Sequence, residues 1–287
     1  MIFGDNRRAV IENIRTCAEN GDFHSKVELG DPVLSAEQNR NITDAYLENR
    51  KRLTFKLKTA IAVTMAQIAT RMINKNTEIV GLEKIPQNLG GVLITSNHFS
   101  PVENTVIRHL TNTLGRRRLN IISQTTNFAM PGVIGFLMNY ADTIPISIEP
   151  RYLARDFLSV LKEKLVLRKE AVLLYPEQEM WFNYRKPRPP KGGAYFFAAK
   201  LNVPIISCFV EIVDTPKDDT PEFRQVKYIL HVLDVLLPDA EKSVRENTEI
   251  LSERDYALKK ACYETVYGKK LTYTFENSDI AGWKEAL

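Results

Sequence analysis

From residue 92 onward the chain repeats one device: an apolar run of strand length, then a stretch with helical spacing or turn chemistry. The runs are VLIT at 92–95, LNIIS at 119–123, DTIPIS at 142–147, AVLLY at 171–175 and VPIISCFVEI at 203–212. Short, nearly continuous apolar runs suit strands covered on both faces, and alternation with helical patterns argues for an α/β domain around a largely buried sheet. Between the third and fourth runs, Leu153, Phe157, Leu161 and Leu165 recur every fourth residue, the stripe of a helix packed on that sheet. VKYILHVLDVL at 226–236 adds a later strand, and 240–267 reads as a charged terminal helix. Residues 1–75 show no sheet signal. They read as helical, polar and mixed in charge, with a break near GDPVLS, where Pro32 and residues 35–37 suggest a stop and a restart. The organisation is thus an N-terminal helical segment, 1–75, and an α/β domain, 76–287, that closes with a helix.

Composition narrows the class. At 44% hydrophobic and 26% charged residues, the 287-residue chain is ordinary for a soluble globular protein. Cys17, Cys208 and Cys262 are odd in number and widely spaced, which suggests neither a disulfide framework nor a zinc site. Charges at Asp5, Arg7 and Arg8 stand where a secretory leader needs an apolar stretch, so a cytoplasmic protein is expected. FAMPGVIGFLMNYA at 128–141 and TAIAVTMAQIAT at 59–70 are too short to span a bilayer, and core helices are the simple expectation for both. The net charge of +4 favours anionic partners weakly, and the basic residues form no stripe with interleaved aromatics, so no nucleic-acid partner is expected.

The chemistry concentrates in SNHFSPVENTV at 96–106. Ser100, Pro101 and Glu103 have the order of a capping box, which starts a helix at 101 and leaves His98 in the loop before it. The placement matters because residues five apart on one continuous helix diverge by about 140°. From the loop, His98 can meet Glu103, which would accept the Nδ1 proton and leave Nε2 free as a general base.

SNHFSPVE after an apolar strand resembles the first motif, N-H-x-S-x-x-D, of the glycerolipid acyltransferase family, with Glu103 in place of Asp. The resemblance continues in order: MPGVIGF before DTIPIS, then Tyr175, Pro176 and Glu177 after a strand, then PKGGAYFFAAKLNVPIISCF at 190–209. It covers 92–210. It implies an α/β fold with a mixed, mostly parallel sheet flanked by helices. It further implies acyl transfer from acyl-CoA or acyl carrier protein to a hydroxyl of a lysophospholipid or related acceptor, with no cofactor or metal beyond the thioester co-substrate. His98 and Glu103 would be the catalytic pair, and Glu177 would organise the acceptor. The arginine that closes the family's third motif is Met180 here. Acceptor phosphate would then fall to Arg151 or to the exposed cations of YRKPRPPK, namely Arg185, Lys186, Arg188 and Lys191.

A fatty chain needs a dry groove, and Phe128, Met130, Ile134, Phe136, Leu137 and Met138 could line it or rest on a bilayer. The expected partners are the acyl thioester, a lipid acceptor and, through peripheral contact, the inner face of a membrane. Cys208, inside an apolar strand, reads as a core residue and not as a nucleophile. Two other readings stay open: a catalytically silent lipid-binding or scaffold module, and an acyl-thioester hydrolase in which water replaces the acceptor.

Overall fold

The computed structural model describes residues 6–30, 32–115 and 118–286. Asp5, used above against a secretory leader, lies outside the described residues. Three helices open the chain: α1 (Arg7–Glu19), α2 (Ala36–Asn49) and α3 (Leu53–Ile73). The restart at Ser35 is a full capping box, with Ser35 and Gln38 exchanging side-chain and backbone bonds. Then follow β1 (Glu78–Val80), β2 (Val92–Thr95), α4 (Asn104–Thr113), β3 (Leu119–Gln124), α5 (Thr125–Phe128), α6 (Gly132–Tyr140) and β4 (Thr143–Ile146). Helix α7 (Leu158–Lys162) is extended at both ends by π-helical turns, Tyr152–Phe157 and Glu163–Leu167. The last elements are β5 (Ala171–Leu174), α8 (Gly193–Leu201), β6 (Ile205–Asp218), β7 (Arg224–Leu236) and α9 (Val244–Tyr267).

The seven strands form one sheet in the order β1-β7-β6-β2-β5-β3-β4. All neighbours are parallel except the long β6–β7 hairpin, so the sheet is mixed and mostly parallel, as the resemblance implies. Alternating strand residues feed two cores. Leu93, Val172 and Ile205 join Phe157, Leu161, Leu165, Tyr195 and Leu251 on one face, which includes the four-residue stripe seen in the sequence. Val92, Ile94, Leu173, Ile206 and Cys208 join Val106, Ile107 and Leu110 of α4 on the other. Each such fully buried side chain contributes about 1.5–3 kcal/mol. The helix from 152 to 167 comes so close to the start of β2 that a Cβ on Gly91 would lie 1.8 Å from the Leu165 carbonyl oxygen, which requires glycine there.

A third core has no counterpart in the sequence reading. Val10, Ile11 and Ile14 of α1 and Val27 pack on Trp181, Tyr184, Phe223, Ile280 and Trp283. The N-terminal segment is therefore built into the loop after β5 and the C-terminal tail. Helix α3 corrects an expectation. It is not a core helix: only Thr59, Ala62 and Thr70 are buried, whereas Leu53, Leu57, Ile61, Ile68 and Met72 are exposed. The stretch is helical, but its apolar residues are largely exposed among the described residues. No helix among the described residues is long and apolar enough to cross a membrane.

Candidate active site

The five parallel strands β2 to β6 all point one way, and that shared direction gathers the loops after β2, β3, β4 and β5 at one edge. At that edge β2 hands over to the 96–103 loop. Asn97, buried, spans the gap to β6: its Nδ2 donates to the Val210 carbonyl (3.0 Å) and its Oδ1 accepts the Val210 N–H (2.8 Å). This amide imitates one more residue of strand pairing, so the chain leaves the sheet at a fixed point and His98 follows immediately.

Glu103 is 2% exposed. One carboxylate oxygen accepts the N–H of Phe99 and, at 2.7 Å, that of Ser100; the other bonds His98 Nδ1. The loop is thus wound around the carboxylate. The capping reading needs a correction in detail. Glu103 does reach back to the Ser100 N–H, but residues 101–103 form a turn, α4 begins at Asn104, and the Ser100 hydroxyl accepts from Val102 and not from residue 103. Proline at 101 starts a turn that the carboxylate closes. The His98 ring keeps 22% exposure, against 2% for Glu103, so the pair has a buried anchor and an accessible end. Tyr175 stacks on the imidazole, with centroids 4.1 Å apart and planes 5° from parallel. Burial and then the charge of Glu103 push the Tyr175 phenol well above its ordinary pKa, so it stays neutral beside the pair.

Beneath His98 lies a second buried carboxylate. Glu177 accepts the His98 N–H (3.2 Å), the Arg188 N–H (3.0 Å) and the Arg188 guanidinium (3.0 Å). Arg188 also donates to the carbonyls of Phe23 (2.9 Å), His98 (3.4 Å) and Glu179, and its guanidinium lies 4.5 Å from the Trp181 ring centre. Its burial lowers its pKa and Glu177 works against that. Phe23 and Ser25, whose carbonyl accepts the Trp181 indole N–H (3.1 Å), bring the N-terminal segment to the site. Between them, His24 is held low by burial first and then by Lys191.

These contacts correct the picture of YRKPRPPK as an exposed cationic loop. Arg188 and Lys186 are 2% and 3% exposed. Lys186 pairs with Asp279 (2.7 Å) and donates to the Thr274 carbonyl (2.8 Å), while Arg185 pairs with Asp214 (2.5 Å) and donates to Ser278 (2.6 Å). Their partners lie 11 to 93 residues away in the chain, so the sequence could not show them. Of the expected acceptor cations, Lys191 and Arg151 are the exposed ones. Lys191 donates its backbone N–H to Pro176 (2.8 Å), which places it directly above the Glu177 turn. Arg151 precedes the π-helical turn after β4.

Phe128 is buried, while Met130, Ile134, Phe136, Leu137 and Met138 are half-buried around α6. The stretch is neither a sealed core nor a free surface. Gln124, at the end of β3, donates to Glu179 (2.7 Å) and ties this region to the loop after β5. The backbone N–H groups of His98, Phe99, Ser100, Gln178, Glu179 and Trp181 all have acceptors within the protein and hold the two loops in place. Cys208 is buried, and burial pushes its thiol up to about 12. Among the described residues, no three His, Cys, Asp or Glu side chains come together as a metal-binding group. Asn97 and Tyr175 both stand within the quoted motifs, but the sequence reading gave neither a role; their contacts with Val210 and the His98 ring show it.

Residues 76–211 match the sequence model of the family described as Acyltransferase. Among solved structures, the chain is similar to the 1-acyl-sn-glycerophosphate (LPA) acyltransferase PlsC from Thermotoga maritima. The two are 17% identical, with a TM-score of 0.49 over 82% of this chain and 99% of that one. No curated protein sequence matches.

Proposed function

We propose, from the match of residues 76–211 to the acyltransferase family model, that the chain moves a fatty acyl group from an acyl thioester, on coenzyme A or acyl carrier protein, to a hydroxyl of a lysophospholipid or related lipid. The observation that carries this reading is the buried Glu103 carboxylate bonded to Nδ1 of a partly exposed His98. With Nδ1–H donated to Glu103, the lone pair of Nε2 is free. It takes the acceptor hydroxyl proton as that oxygen attacks the thioester carbonyl, and Glu103 stabilises the imidazolium that forms. Collapse of the tetrahedral intermediate expels the thiolate, which recovers the proton from His98. No acyl-enzyme is required, and Cys208, sealed in the core, is not placed to form one.

Glu177 acts on the acceptor indirectly in this reading, since both its oxygens hold the His98 loop and Arg188. Lys191 and Arg151 are the cations free to meet an acceptor phosphate. Membrane contact is assigned to α3. Leu53, Leu57, Ile61, Ile68 and Met72 form one exposed apolar face, with Lys56, Lys58 and Arg71 beside it, as in helices that lie in a bilayer surface. Asn74, at the end of α3, donates to Thr105 of α4 (2.9 Å), so this face runs toward the His98 edge and would bring lipid substrates there from the inner leaflet. The half-buried apolar residues of α6, packed against α3, would receive the acyl chain.

The test is thiol release from acyl-CoA and acyl carrier protein with and without lysophosphatidic acid or a neutral lysolipid. Release that depends on a lysolipid, with appearance of the diacyl product, is the expected result. Release without an acceptor would make the chain a thioester hydrolase, and no release with any donor would leave a lipid-binding module.

A further inference from the structure

A cavity of about 340 Å³ lies at the other end of the sheet, against the N-terminal ends of β3 and β4 and the α2–α3 junction. Its walls carry six cations, Arg50, Lys51, Lys56, Arg118, Lys164 and Arg168, against two carboxylates, Asp142 and Glu163. The internal pairing leaves an excess of positive charge. Arg118 and Asp142 neutralise each other (2.9 Å), and Lys164 is held by Glu170 (3.1 Å) outside the lining. Glu163 alone serves both Arg50 (2.7 Å) and Arg168 (2.8 Å). Lys51 and Lys56 are exposed and pair with no carboxylate among the described residues.

Two lining donors point to a ligand. The Thr59 hydroxyl, on a residue 7% exposed, is buried without a hydrogen-bond partner among the described residues. The Arg50 Nε–H, on a side chain 15% exposed, is in the same state. Leaving such groups unpaired costs about 1–3 kcal/mol each, and nothing in the packing requires a hydroxyl at 59, where valine has the same shape. An anion that accepts from Thr59 and Arg50 while facing Lys51 and Lys56 would satisfy all four.

We propose that this cavity is a binding site for a phosphate group, carried by a lipid headgroup or by a soluble phosphate ester, separate from the His98 site. The volume falls in the range of small-ligand pockets, and guanidinium with flanking ammonium groups is the arrangement that recognises phosphate oxygens. The carboxylates in the lining are each paired with arginine, Glu163 with Arg50 and Asp142 with Arg118.

The test is calorimetric titration with inorganic phosphate of the full chain and of three variants: Lys51→Gln with Lys56→Gln, Thr59→Val, and a charge-matched control, Lys217→Gln with Lys227→Gln, on the distant β6–β7 hairpin. Binding at least about tenfold weaker in the first variant and measurably weaker in the second, with a melting temperature unchanged in the first and not lowered in the second, and an unchanged control, is the expected result. A parallel arm measures sedimentation with phosphatidylcholine vesicles with and without phosphatidic acid. Loss of the preference for phosphatidic acid in the Thr59→Val variant, which keeps every charge, identifies a lipid headgroup as the source; an intact preference with weakened phosphate binding identifies a soluble ester. Equal phosphate binding by wild type, control and both pocket variants, or none by wild type, overturns the proposal.

Discussion

Two buried carboxylates flank the end of β2, and they have opposite fates. Asp255 of α9 is fully buried and receives Thr95 Oγ1 (2.9 Å), Ser207 Oγ (2.5 Å), Tyr195 OH (2.5 Å) and Lys259 Nζ (2.6 Å). Glu103 is as deeply placed and as well bonded, by two backbone N–H groups and an imidazole. The desolvation problem is the same and so is the solution, complete satisfaction of the charge. The difference lies in the cation. Lys259 is 5% exposed on its side chain and locked four residues from its partner, whereas His98 has its other nitrogen on a ring that solvent reaches. A buried carboxylate becomes chemistry only when the group it orients has a free end.

The comparison is broken most severely at the free end. His98→Ala should lower acyl transfer by about 10²–10⁴-fold, the range for a lost general base, while the melting temperature stays near that of wild type because the ring is only partly buried. Turnover within a few-fold of wild type would mean that His98, like Lys259, is there to balance a charge. Glu103→Gln tests the anchor. The amide oxygen can still accept from Phe99 and Ser100, but its NH₂ would then face Nδ1 as a donor. The imidazole must present a bare Nδ1 and carry its proton on Nε2, the wrong tautomer for a base. Rate should fall by about 10²-fold or more with little loss of stability, and the ring ¹⁵N shifts of His98 should report the exchange of tautomers. A loss confined to stability would reduce Glu103 to a cap.

Asp255→Asn sharpens the other half. It leaves Lys259 buried beside a neutral group, and removal of one partner from a buried pair costs about 3–5 kcal/mol. Urea denaturation should show that loss, while turnover per folded molecule changes less than about twofold. A selective fall in turnover would show that the Asp255 cluster positions the His98 loop through Thr95.

What the sequence revealed follows the same division between local and distant causes. Strands β2 to β7 were legible because buried strands are continuous apolar runs, and the His98–Glu103 pair because both residues lie in one eleven-residue stretch. Strand β1, three residues with an exposed edge, carries no such run and is fixed by pairing with β7 some 150 residues later. The roles of Arg185, Lys186 and Arg188 were illegible for the same reason: their partners, Asp214, Asp279 and Glu177, come from other parts of the chain. A basic proline-rich run reads as solvated until the fold supplies those partners. Helix α3 failed in the opposite sense, since an apolar stretch does not show what covers it.

The smallest effect concerns backbone strain, which separates the two carboxylates once more. Around Asp255 no residue has a left-handed conformation, but in the loop beneath His98 Gln178 has φ +69° and Asn183 φ +50°. Asparagine tolerates that region; glutamine has no such local compensation. Gln178 is exposed, and its N–H donates to Tyr175 (3.1 Å), closing the turn that aims Glu177 inward. Gln178→Gly should relieve about 1 kcal/mol of strain, partly offset by the greater freedom of glycine in the unfolded chain. The net expectation is a melting temperature raised by no more than about 2 °C and turnover unchanged, read by calorimetry and thiol release. A fall in turnover without loss of stability would mean that the Gln178 side chain itself meets substrate, and the strained turn would then belong to the chemistry and not only to the support of Glu177.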